Sequence, residues 1–393
     1  MNPHASSSTD GVYTTLLLQE ADTTRTISWN PQIVLSDHRY EGAPCFLYAP
    51  EGQADLVFVD YFPSLQSIAS WSIWNQPIHL QHPVPAFFIA PIHGKGLGMI
   101  AQRPINAGEM IVTERPVWAG RSRISCAADQ TNANGIFHRA AIRGLSEPSR
   151  IAFFALANSY PPAQYDVVPG ILNTNCLGIT VPTRDSRAQQ NPGSRTDTET
   201  YIACFPTLSR ANHDCTPNAH YVFSPATFAG EFRAIRNIAA GEEITITYTS
   251  LCAPSAERCA FLATTRFFDC RCATCALPAA QLRVSDARRM RIREMLVKIE
   301  EARFPPRIPI SELREAVGWA RSEGLRVEEG RLLLCGSQVL TVYDGLDVAM
   351  GWAKEARKVF ETIEGARSEY LRKLDDAYRV HQRMAAAPRP LNI

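Results

Sequence analysis

The sequence predicts an α+β fold: small antiparallel β-sheets with a helical insertion, followed by an α-helical C-terminal region. Three observations carry that reading. Short β-branched and aromatic runs, broken by Gly and Pro, fill residues 85–118 and 201–248. Such interrupted strands suit small antiparallel sheets rather than a doubly wound parallel one. Amphipathic stripes with helical spacing run from Pro278 to beyond Tyr378. Between these regions lies the C-x-C-x2-C cluster Cys270-Arg271-Cys272-Ala273-Thr274-Cys275.

With 393 residues the chain has room for two or three domains and a sizeable core. Hydrophobic residues make up 45% and charged residues 20%, the balance of an ordinary soluble protein. The formal net charge of +1 supplies no global basic field, so direct nucleic-acid binding is not expected. No apolar run approaches the roughly 18 residues of a membrane span. The opening MNPHASSSTDG has neither a basic n-region nor an apolar h-region, so no secretory signal is expected. Eleven cysteines, an odd count with four at metal-like spacing, favour zinc and free thiols over disulfides. The expected protein is a nuclear or cytoplasmic monomer.

Four segments follow along the chain. Residues 1–84 form an N-terminal extension in which Leu56–Phe62 reads as a buried strand, with Trp71, Ile73 and Trp74 beyond it; no chemical motif is visible there. Residues 85–250 form the β-rich domain, with an insertion at 119–200. Within the insertion, Ile136–Arg143 and Arg150–Asn158 have helical spacing, while Arg184–Thr200 is polar and aperiodic, reading as a loop. Residues 251–278 carry the cysteine cluster. Residues 279–393 form a helical domain with stripes at Ile292, Met295, Leu296 and Ile299, at Leu313, Ala316, Val317 and Ala320, at Ala349, Trp352, Ala353, Ala356 and Phe360, and at Tyr370, Leu371, Leu374 and Tyr378. Ser311 is placed to cap the second of these helices, and Gly324 lies past its end.

Three thiols cannot close a tetrahedral zinc site, so the cluster needs a distant fourth ligand. Cys215 is the natural choice, with Cys252, Cys259 and His213 as rivals. Cys215 sits in Asn212-His213-Asp214-Cys215-Thr216-Pro217-Asn218, and the Asn-His pair can offer hydrogen bonds to an adenine or an amino-acid head group. Gly94-Lys95-Gly96-Leu97-Gly98 is either a hairpin turn or a loop that approaches a ligand closely; it lacks the Rossmann spacing. Gly241–Tyr248 reads as a strand, with Ile244, Ile246 and Tyr248 on one face.

Taken together, GKGLGMIAQRPINAGEMIVTERP, FPTLSRANHDCTPNA, GEEITITYTSL and FFDCRCATC, in that order, make residues 87–277 resemble a SET domain of the SET-and-MYND (SMYD-like) branch. The resemblance implies a SET-type β-fold with a zinc-bound post-SET segment. It implies S-adenosylmethionine as cofactor and methyl transfer to a lysine of a histone or non-histone protein substrate. Lys95, Gly96 and Leu97 would lie along the cofactor, Asn212 and His213 would hold its ends, and Asn175 would contact it. Phe268 would pack on the adenine, and Tyr248 would stand at the methyl-transfer channel as the catalytic residue while also contacting the cofactor. Cys215, Cys270, Cys272 and Cys275 match the zinc ligands.

Three departures qualify the resemblance. Between Arg121 and Gly170 only Cys126 is present, so the MYND zinc module is missing. Asp214 stands where the family usually has Ser, and Cys204-Phe205 replaces a step that usually begins with Gly. A catalytically inactive SET-like scaffold for protein–protein interaction is therefore the alternative reading.

Overall fold

The computed structural model describes residues 32–35, 44–49, 55–61, 85–121, 133–161, 166–182, 198–366 and 368–386. The expectations for Trp71, Ile73, Trp74, Cys126 and residues 184–197 fall outside them. The chain divides into two compact units. The first comprises Met1–Gln81, Thr113–Arg210 and Phe223–Glu231; the second comprises His82–Val112, Ala211–Val222 and Phe232–Ile393.

The first unit carries a six-stranded sheet. Its strands are β1 (Gln32–Leu35), β2 (Pro44–Ala49), β3 (Leu56–Tyr61), β7 (Trp118–Gly120), β8 (Cys176–Pro182) and β9 (Thr198–Cys204), in the order β1-β2-β3-β7-β9-β8. β3 and β7 run parallel, and the other neighbours are antiparallel. Val57, Phe58 and Val59 are all wholly buried, so both faces of β3 are covered. A continuous apolar run without alternation is what such a strand requires. The extension that lacked a chemical motif thus supplies an inner strand. Its buried Asp60 is satisfied by Arg121 Nε and the Tyr201 hydroxyl, each at 2.6 Å.

Helices α1 (Ala133–Arg143), α2 (Glu147–Phe154) and α3 (Val167–Asn175) confirm the helical character of the insertion. α2 starts and ends earlier than its apolar spacing suggests. Ser146 Oγ caps the Ser149 N–H, and Pro148 is preorganised for the first turn. Val57, Val59, Trp118, Ile142, Phe153 and Ile171 share one core.

The second unit holds the sheet that builds the site, ordered β10-β13-β5-β4. β4 (Phe87–Ile92) and β5 (Gly96–Ala101) form a hairpin, so the glycine run is both turn and strand. Gly94 and Gly96 take φ of +73° and +76°, conformations that only glycine adopts without strain. β13 (Glu243–Ile246) pairs antiparallel with β5 and parallel with β10 (Asn212–His213). The strand expected to reach Tyr248 therefore stops at Ile246. Ile244, Thr245 and Ile246 are all buried, so this short strand is covered on both faces. Strands β6 (Met110–Glu114), β11 (Ala219–Ser224) and β12 (Ala229–Ala234) form a three-stranded sheet, ordered β11-β12-β6.

After α4 (Ser255–Thr265) the chain continues in α5 (Ala279–Glu300), α6 (Ile310–Ser322), α7 (Arg326–Tyr343), α8 (Leu346–Ile363) and α9 (Glu369–Ala386). The expected stripes lie in one core with Leu332, Val339 and Leu340. α7 shows no stripe because it is buried around most of its circumference, polar Glu329 and Ser337 included. Its Gly330 and Gly336 let α8 approach: a Cβ there would stand 2.9 Å from Phe360 and 2.7 Å from Trp352. Ser311 does not cap α6, which starts one residue earlier, after Pro309, without a side-chain cap. Gly324 ends it with φ +69°. None of the described helices is long and apolar enough to cross a membrane.

Candidate functional site

Strand β13 organises the site, because each of its neighbours presents a predicted residue. Glu243 lies at its start and bridges two of them. Its Oε2 accepts Lys95 Nζ at 2.7 Å, and its Oε1 accepts Asn212 Nδ2 at 2.9 Å. Asn212 Nδ2 also reaches the Leu97 carbonyl at 3.3 Å. The glycine hairpin and the Asn212 strand are thereby tied through one carboxylate. Gly98 makes the tie possible, since a Cβ on it would stand 2.6 Å from Ile92 Cγ1 and 2.7 Å from Asn212 Nδ2. Gly98→Ala is expected to cost about 1–3 kcal/mol through overpacking, read by urea denaturation, and to displace Asn212 from Glu243.

β10 has only two residues, and the chain leaves it into the loop that carries Cys215. That loop is fastened again at Asn218, which is almost wholly buried. Asn218 Oδ1 accepts the Thr245 N–H at 2.8 Å, and its Nδ2 donates to the Glu243 carbonyl at 2.8 Å. One side chain thus replaces a rung of strand pairing. Within the loop, Asp214 Oδ1 accepts the Thr216 N–H at 2.7 Å, an Asx turn. Burial raises the Asp214 pKa. A Ser in this place could form the equivalent turn, so the departure at Asp214 preserves the local hydrogen bonding.

His213 Nδ1 accepts the Tyr248 N–H at 3.0 Å. A neutral ring with Nδ1 as acceptor carries its proton on Nε2, which lies 3.3 Å from Cys215 Sγ and donates to it. Burial holds the ring neutral by lowering its pKa to about 4. Both ring nitrogens are therefore engaged inside the protein, which leaves backbone groups for any ligand contact by His213. The Tyr248 hydroxyl donates to the Ala211 carbonyl at 2.6 Å, and burial pushes its pKa up to about 12. Phe268 completes the group, with its ring centroid 6.4 Å from Tyr248 and 6.2 Å from His213. The preceding Phe267 has φ +59°, a strained value for an aromatic residue.

Cys215, Cys270, Cys272 and Cys275 converge, with their four sulfurs within 4.8 Å of one another. The rivals Cys252, Cys259 and His213 fall outside this set: Cys259 lies 3.9 Å from Cys275, and His213 points at Cys215 as a donor. A tetrahedral zinc with Zn–S bonds of about 2.3 Å separates its sulfurs by about 3.8 Å. The Cys215–Cys275 separation is 3.6 Å, so the cluster is compatible with zinc. Hydrogen bonds from Cys215, then Cys270, hold the Cys272 pKa down to about 5 and lower that of Cys275, while Cys215 is raised by its bonds to Cys270 and the other thiols. Sulfurs this close share protons or share a cation.

Asn175 belongs to the first unit, at the end of α3. Its Nδ2 donates to the Ala157 and Ile171 carbonyls, each at 2.7 Å. Cys204 and Phe205 lie in that unit too, both wholly buried. Sequence reasoning gave no role to Glu243, Asn218, Gly98 or Arg258. Only Gly98, within the glycine run, carried a local signal; the others act through partners remote in sequence.

Comparison with known proteins matches this region to a family. The SET domain family matches residues 96–249, which span β5 through β13 and Tyr248. This segment of the chain is a SET domain. It is related to the SMYD and Set5 histone-lysine methyltransferases. Histone-lysine N-methyltransferase set5 of Schizosaccharomyces pombe is 28% identical over 72% of this chain and 80% of its own length. Human histone-lysine N-methyltransferase SMYD1 is 26% identical over 52% of this chain, and mouse SMYD3 is 35% identical over 26%. These matches span 42% of SMYD1 and 24% of SMYD3. The SET domain, the four-cysteine cluster and the helical C-terminal region give the mixed α+β architecture expected.

Proposed function

We propose that this SET-domain protein is an S-adenosylmethionine-dependent protein-lysine N-methyltransferase, nuclear or cytoplasmic, acting on histone or non-histone lysines. One observation carries the reading. The Tyr248 hydroxyl is fixed on the Ala211 carbonyl, one residue before Asn212. The residue assigned to catalysis and a residue assigned to cofactor binding are thus held at adjacent points of one backbone.

When bound, S-adenosylmethionine supplies a methyl group on a positively charged sulfur. Lys95, Gly96 and Leu97 would line it, with Asn212 and the backbone of His213, and Phe268 would cover its adenine. The substrate lysine starts near pKa 10.4 and must lose a proton before its lone pair can attack. Burial and a neighbouring positive charge both favour the neutral amine. With a pKa near 12, Tyr248 is a neutral phenol at physiological pH, so it is not the base. Its proton is committed to Ala211, which leaves the oxygen lone pairs to accept an N–H of the incoming amine. Tyr248 would thereby orient the amine nitrogen for attack, and such positioning is where most of the acceleration would come from. The bound cofactor would give up that methyl to the nitrogen and keep the bonding pair, and the amine proton would pass to solvent.

The four cysteines would hold a structural Zn²⁺, with no part in the chemical step. The test of function is incubation with labelled S-adenosylmethionine and a broad protein library. Label on lysine supports the reading; no transfer by the zinc-loaded full chain contradicts it.

A further inference from the structure

We propose that Arg258 is the charge-compensating residue of the four-cysteine metal site and governs how long the metal is retained. The inference rests on the zinc reading above. Arg258 lies on α4 and is wholly buried, although guanidinium groups are rarely hidden without a partner that demands them. Its Nε donates to Cys215 Sγ at 3.3 Å, and a terminal nitrogen reaches Cys275 Sγ at 4.0 Å. One guanidinium edge thus spans two of the four sulfurs. The other edge donates to the Ala253 carbonyl and lies 3.6 Å from Asp286, which also takes the Ser255 N–H and hydroxyl. Asp286 therefore fixes the end of the side chain remote from the cluster and leaves the sulfur-facing edge in place.

The electrostatics give this contact its consequence. Four thiolates around a divalent zinc leave two uncompensated negative charges, and burying them is costly. A guanidinium cannot relieve its own burial by losing a proton, so it remains a fixed cation against the sulfurs. It also strengthens the N–H···S bonds to Cys215, which accepts another from His213. Outer contacts of this kind typically change metal retention by an order of magnitude or more. Among the described residues, Arg258 is the arginine hydrogen-bonded to these sulfurs, while buried Arg289 donates to the Cys215 carbonyl instead.

The experiment measures zinc release from the purified full chain to a chromogenic chelator, for wild type, Arg258→Met and Arg258→Lys. The cobalt-substituted proteins supply a second readout in the sulfur-to-cobalt charge-transfer band. Arg258→Met is expected to release zinc about 10–100 times faster and to shift that band. Arg258→Lys keeps the charge but cannot span both sulfurs, and is expected to fall between. Release by the folded variants within about twofold of wild type overturns the inference. If Arg258→Met does not fold, Arg258→Lys decides alone by the same criterion. A wild-type chain that takes up no zinc overturns the metal reading, and this inference with it. A zinc-loaded wild type with unchanged variants overturns this inference only.

Discussion

Tyr248→Phe is expected to lower the methyl-transfer rate by about 10²–10³-fold, the usual effect of removing one polar group aimed at the reacting centre. Cofactor affinity should change less than the rate, because most of the groups assigned to the cofactor, in the β4–β5 hairpin, Asn212, His213 and Phe268, are untouched. The substitution removes the donor to the Ala211 carbonyl, at a cost of about 1–2 kcal/mol of stability. Single-turnover kinetics with labelled cofactor, beside an isothermal titration, separate these effects. Equal turnover by Tyr248→Phe and wild type would remove Tyr248 from the mechanism. A parallel loss of binding and rate would instead assign it to cofactor binding.

Cys272→Ala is expected to bring zinc content from one ion per chain to well below that, and to lower the melting temperature by roughly 10–20 °C. The size follows from losing on the order of 5 kcal/mol of metal-linked folding energy, at about 2–4 °C for each kcal/mol in a unit of this length. The cysteine loop is where this loss would be felt. Arg289 of α5 is wholly buried and donates to the Cys215 carbonyl at 3.0 Å and the Leu251 carbonyl at 2.9 Å. Gly324 at the end of α6 packs so closely on Thr216 that a Cβ would stand 2.7 Å from its methyl. A slack Cys215 loop would loosen both contacts with the helical array. Cys335→Ala serves as control, since that buried thiol lies in the helical core, away from the cluster. Elemental analysis and calorimetry give the readouts, and a zinc-replete Cys272→Ala chain of unchanged stability would contradict the four-cysteine assignment.

Patterns that repeat within a single element were legible in the sequence. The helical stripes of α5, α6, α8 and α9 are amphipathic, and their spacing alone places them; α7, buried on most of its faces, has no single apolar stripe to find. The cysteine cluster was legible because metal coordination demands a ligand count, and the count pointed beyond the triplet to Cys215. Contacts between distant segments were not. Glu243 lies in an ordinary Gly-Glu-Glu turn, and its bonds to Lys95 and Asn212 exist only once β13 lies between β5 and β10. His213 is the instructive case. Its place in the chain suggests a ligand contact, yet the fold uses both ring nitrogens to join Tyr248 to Cys215. Asp214, the substitution that raised the scaffold alternative, is occupied in turning the loop.

The central claim is that this SET domain binds S-adenosylmethionine beside Tyr248. Isothermal titration of the zinc-loaded full chain with S-adenosylmethionine tests it most directly. The account predicts one site per chain, weakened by Asn212→Ala and retained in Tyr248→Phe. Absence of binding at millimolar cofactor would contradict it and favour the scaffold.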